Sequence, residues 1–84
     1  MRTPTVHLNG TKGQDLLESY LKAVDKLRDA IQAVMNAYPN GRDLYTQEPG
    51  AYQVAVVEQQ ERLEKLTEVK KEMEMLAEAV ADQI

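Results

Sequence analysis

Cysteine, phenylalanine and tryptophan are missing from this 84-residue chain, and histidine occurs once, as His7. Without thiols there is no disulfide framework and no thiolate metal site to reinforce a small core, and a reducing compartment is the natural setting. The lone histidine excludes histidine-based metal clusters and the Glu-x-x-His pairs of di-iron bundles. No run approaches the roughly 20 apolar residues of a membrane span. The first residues carry an arginine and a proline but no apolar run, so no secretory signal is expected. A soluble, cytoplasmic chain without membrane contact is the expectation. With only tyrosines for aromatics, the core has to come from Leu, Val, Ile, Met and Ala. A single domain of this length buries only about 60 to 65% of the surface its unfolded chain exposes, which leaves a thin margin of stability.

The net charge of -4 is uneven: residues 1–45 hold six Lys/Arg and five Asp/Glu, whereas residues 46–84 hold four and nine. Such halves form no basic stripe for a phosphate backbone, which argues against nucleic acid as a partner. The acidic half reads as a solvated helix face.

Two long helix-patterned segments flank Tyr38-Pro39-Asn40-Gly41-Arg42-Asp43-Leu44-Tyr45. Pro39 cannot continue a helix and disfavours helical geometry at Tyr38, while Asn40-Gly41 tolerates the positive φ that often follows a helix end. The chain therefore reads as all-α, an antiparallel helical hairpin: a helix over 12–37, a bend over 38–48 and a helix over 49–82. In the first helix Leu17, Tyr20, Val24, Leu27, Ile31, Val34 and Tyr38 alternate at intervals of three and four, a coiled-coil heptad. Thr11 and Gln14 have the spacing of a capping box at its start. Ala23 and Ala30 widen the stripe on one side and Leu21 and Met35 on the other, so the helix is expected to have more than one neighbour. In the second helix Pro49 suits the first turn, with Thr46 or Glu48 as cap. Tyr52, Ala55, Val56, Leu63, Leu66, Val69, Met73, Leu76 and Val80 form its apolar face. Gln59-Gln60-Glu61-Arg62 interrupts that face, a place for water or a register-fixing hydrogen bond. Glu18 to Lys22, Asp25 to Arg28, Glu58 to Arg62 and Glu61 to Lys65 are the spaced pairs expected to line the solvent sides.

Residues 1–10 lack a helical period. Thr5-Val6-His7-Leu8, closed by the turn pair Asn9-Gly10, reads as an extended arm or short strand. At 1.5 Å per residue the helices would be about 39 and 51 Å long. Folded back from the bend, the second would overshoot the start of the first by about two turns, with Val6 and Leu8 as cover. The surplus apolar surface predicts self-association, at least a dimer, in a four-helix bundle or larger oligomer.

Candidate chemistry is sparse. Gly41, Arg42, Asp43 and Tyr45 join a flexible backbone, a forked cation, a carboxylate and a phenol, a set suited to gripping an anion or a partner's carboxylate. The competing reading has Arg42 and Asp43 tying the two helix ends together along their dipoles. Glu58, Glu61 and Glu64 lie three apart, as the magnesium-binding carboxylates of all-helical nucleotide pyrophosphatases do, but Asp25 and Asp29 of the first helix fall away from the stripe. No catalytic residues, metal or cofactor are assigned.

Val6-His7-Leu8-Asn9-Gly10-Thr11, Tyr38 to Tyr45 and Glu61-Arg62-Leu63-Glu64-Lys65-Leu66 together resemble small helical-hairpin proteins encoded in double-stranded DNA phages and bacterial prophages. That resemblance implies a phage accessory protein in the cytoplasm of a host bacterial cell, without enzymatic activity, that binds a host or phage protein, inhibition of a host process being one form of this. The alternative is an oligomeric binder of a small anionic ligand, such as a nucleotide signal, at a subunit interface near the bend. A third reading is a metal-dependent nucleotide hydrolase using Glu58, Glu61 and Glu64.

Overall fold

Helix α1 occupies Gly13–Asn36 in the computed structural model, which describes residues 1–84. It begins one residue later than a Thr11 cap requires: Lys12 is the capping residue and offers no side-chain bond. The capping box therefore does not form, because Thr11 lies one position outside the helix, and the Gln14 amide donates to Glu18 instead. At the other end the chain leaves the helix before Pro39, as expected. The Ala37 N–H folds back to the Ala33 and Val34 carbonyls and the Tyr38 N–H to that of Met35.

Beyond Pro39 the chain makes one short 3-10 turn, Gly41–Asp43, capped by Asn40, whose Oδ1 accepts from the Arg42 N–H at 2.9 Å. This local cap lets Gly41 keep a negative φ. The left-handed residue expected at Gly41 is instead Gly50, with φ of 91°, the only positive φ in the chain. Gly50 caps helix α2, Ala51–Ala81. Pro49 is thereby displaced from the first turn and neither Thr46 nor Glu48 caps the helix. The left-handed Gly50 ends the loop and Val54 makes the first helical bond to its carbonyl.

The two helices pack antiparallel as a hairpin, with no strand anywhere. Two observations set their register. Gln59 of α2 reaches the Val34 carbonyl near the end of α1, and any Cβ added to Gly13, the first residue of α1, would run into Ile84 and Val6. The open ends of the helices are therefore level, and the surplus length of α2 lies at the bend. This reverses the expected overshoot: about two turns of α2, roughly 9 Å, project past α1, because the 37–50 segment is long enough to run alongside them. Ala51 is buried there, and Pro39 and Leu44 are half-buried.

Most of the expected stripes face each other. Three positions differ: Tyr38 and Tyr52, at the bend end of the stripes, are exposed, and Val69 is exposed while Lys70 is half-buried, because Lys70 keeps the four-then-three spacing from Leu66 to Met73. Its aliphatic stem fills the seam while its ammonium reaches Glu74. The arm is extended but not a strand. Gln83 holds it, accepting from the Val6 N–H at 2.7 Å and donating to the Pro4 carbonyl at 2.9 Å. Val6 is half-buried, but Leu8 is 98% exposed and covers nothing, since the turn from His7 to Gly10 swings it outward.

The product is a rod of 61 × 20 × 17 Å. Its radius of gyration, 18.5 Å, exceeds the roughly 12 Å of a compact chain of this length. Only 7 of 84 residues are buried, so the faces left over bear on function more than the core does.

Candidate interaction surfaces

The bend brings its four singled-out residues onto one short segment without joining their side chains. Arg42 and Asp43 take part in neither of the chain's two ion pairs, which are Arg28–Asp25 and Lys70–Glu74. Asn40 holds the Arg42 backbone, and both charged side chains lie in solvent. Gly41 has open space around its α-carbon, and Tyr45 is 80% exposed.

Glu58, Glu61 and Glu64 do not converge with other acids into a group able to surround a cation. Of the four expected pairs only Asp25–Arg28 forms, and Glu61 and Lys65 make no ion pair. Arg62 turns to Gln59 rather than Glu58, and Glu18 takes the Gln14 amide rather than Lys22. The polar interruption resolves into a hydrogen bond across the helices. Gln59 is buried, its Nε2 donates to the Val34 carbonyl at 2.7 Å, and its Oε1 accepts from Arg62 at 3.1 Å.

Two apolar surfaces remain, neither at the bend residues. The first lies on the back of α2 and runs from its projecting turns to Glu61, an open groove of about 450 Å³ lined by Gln53, Val54, Val57, Glu58 and Glu61. Val54 and Val57 are 59% and 51% exposed. The sequence did carry a signal for them: Val54-Ala55-Val56-Val57 is four apolar residues in a row, which turn through about 300° of helix and cannot all meet one neighbour. The second is a groove of about 330 Å³ along one flank of the hairpin, floored by Leu17, Leu21, Val24, Ala77 and Ala81 and rimmed by Glu74 and Glu78. The carboxyl of Glu74 is held below the usual carboxylate range, chiefly by its hydrogen bond from Lys70, with the positive charges of Lys70, Arg28 and Lys71 adding to it. The opposite flank is the one the arm occupies, since Leu76, Val80 and Gln83 recur there at helical spacing and the first two are buried.

No helix is long and apolar enough to cross a membrane. Compared with protein-family models, curated proteins and solved structures, the chain matches none.

Proposed function

We propose that this chain is a non-catalytic interaction protein, working as an oligomer of helical hairpins that presents α2 to a protein partner. The observation that carries the reading is the projecting end of α2, where Val54 and Val57 stand uncovered beside Glu58 and Glu61. Apolar side chains held on a rigid helix and flanked by carboxylates suit a partner surface that is apolar with basic residues at its edge. A rigid helix also loses little entropy on docking. The resemblance of the arm, bend and 61–66 segments to phage-encoded hairpins supports a phage or prophage setting, with a host or phage protein as target in the bacterial cytoplasm and inhibition of a host process as one outcome of binding.

The test is capture from a bacterial lysate with the wild-type chain and with the double variant Val54→Glu/Val57→Glu. Both substituted residues are already exposed, so the hairpin should fold unchanged. A protein retained in stoichiometric amount by the wild type and lost with the variant is the expected result. Retention of a nucleotide or other small anion, with no protein, would replace this reading by the ligand-binding one.

A further inference from the structure

The hairpin has two flanks and its own arm occupies only one. The open flank is not merely the groove beside Ala77 and Ala81. Along α1 the residues Leu17, Leu21, Val24, Arg28, Ile31 and Met35 follow one another at steps of four and three, a second seam running beside the one that meets α2. It shares Leu17, Val24 and Ile31 with the seam that meets α2 and departs from it at Leu21, Arg28 and Met35, so the centres of the two are turned from each other by roughly 50° of helix. Leu21 and Met35 are 49% and 50% exposed in the single chain. The accessible surface of the chain, 6434 Å², exceeds the about 5,000 Å² usual for 9.5 kDa. The excess is larger than the roughly 800 Å² that each partner contributes to a standard interface.

We infer that the open flank of α1 docks on a second copy of this chain, with the two α1 helices antiparallel about a two-fold axis. This deepens the oligomer proposed above and rests on it. Two-fold symmetry asks the seam to complement itself when reversed, and it does. With the axis near Lys26, Leu17 meets the partner copy's Met35, Leu21 meets its Ile31, and Arg28 lies across its Val24. Arg28 already bonds to Asp25 at 3.1 Å, and the reversal brings a second Asp25 to each guanidinium, so the one charged residue in the seam has a carboxylate on both sides. The equivalent flank of α2 carries Gln60, Glu64, Thr67, Lys71, Glu74 and Glu78 at helical spacing. Pairing two such polar flanks would desolvate charged groups with little apolar area to offset it, which leaves α1 as the joining helix. The back of α2 stays free.

Light scattering of the wild-type chain at micromolar concentration should give twice the 9.5 kDa of the chain, and Leu21→Glu/Met35→Glu should return it to a single chain with its helical circular dichroism retained. A wild-type monomer overturns both this interface and the oligomer, while leaving partner capture to stand or fall by itself. An oligomer that survives the double variant overturns the interface alone. Orientation is read separately, in a chain that has no cysteine of its own. Leu17→Cys and Met35→Cys chains, one of them tagged, should oxidise to a mixed disulfide when combined and should not cross-link when alone, since the two seam ends lie about 27 Å apart. Cross-linking of each variant with itself would mean a parallel pair and would overturn the proposed geometry.

Discussion

Gln59 donates to the Val34 carbonyl oxygen at 2.7 Å, so a side chain in the middle of the seam of α2 caps the last turn of α1. Carbonyls at a helix C-terminus lack the amide that the next turn would supply. That of Val34 receives the Ala37 N–H and the Gln59 amide together. Because the donor belongs to the other helix, the bond defines one register of the hairpin.

Replacing Gln59 by Leu keeps the volume and removes the bond, and should cost about 1 to 2 kcal/mol. Arg62, which gives a hydrogen bond to Gln59, loses its partner in the same step. For a domain of this size each kcal/mol lowers Tm by about 4 to 8 °C. Thermal unfolding followed by circular dichroism reads the shift directly. An unchanged Tm would mean that the Ala37 amide alone satisfies the carbonyl.

Gly41 and Gly50 both have open space where a side chain would start, and differ in backbone alone. Gly50→Ala forces a Cβ into the left-handed region and should cost about 1 kcal/mol. Gly41→Ala should be neutral or stabilising by a few tenths of a kcal/mol, through the reduced freedom of the unfolded chain. Urea midpoints of the two variants test the pair, and the reverse order would contradict the bend geometry.

Glu74 has a folded pKa below its unfolded value, mainly through Lys70. A depressed carboxylate pKa stabilises the fold above the unfolded value, and that contribution is lost as pH falls through the folded one. The pair is solvent-facing, so its effect on overall stability is small. Carboxyl titration followed by NMR should find Glu74 below the ordinary glutamate range, and Lys70→Met should move it up. No movement in that variant would show that the pair does not form in solution.

The hairpin was legible because Pro39 and the three-four spacing of Leu17 to Val34 depend on neighbours a few residues away. Helix ends were less so. Thr11 and Gln14 have the spacing of a cap, but the start is decided by the arm, which Gln83 holds from the far end of the chain. Asn40-Gly41 was a sound turn signal with the wrong residue as its left-handed member, because Asn40 satisfied the turn by its side chain and left that task to Gly50. The overshoot could not be placed from helix lengths alone, which say how much of α2 is left over and nothing about which end. Val54 and Val57 were left out of the apolar face read for the second helix, and only the hairpin's register shows that they stand uncovered beside it.

The clamp between the arm and Gln83 joins residues 77 and 79 positions apart, far beyond the 25 that separate Gln59 from Val34. Closing a loop costs entropy that grows with its length, and contacts of long separation form after the local ones that shorten the path to them. The hairpin should therefore close from the bend outward, with Gln59 setting the alignment of the helices before the arm finds its place. In reverse, the arm is the first part to let go, as a sub-global opening that needs less free energy than unfolding the helices. The open end of the rod then has an opening of its own, which releases Gln83 and uncovers the start of α1 at Gly13.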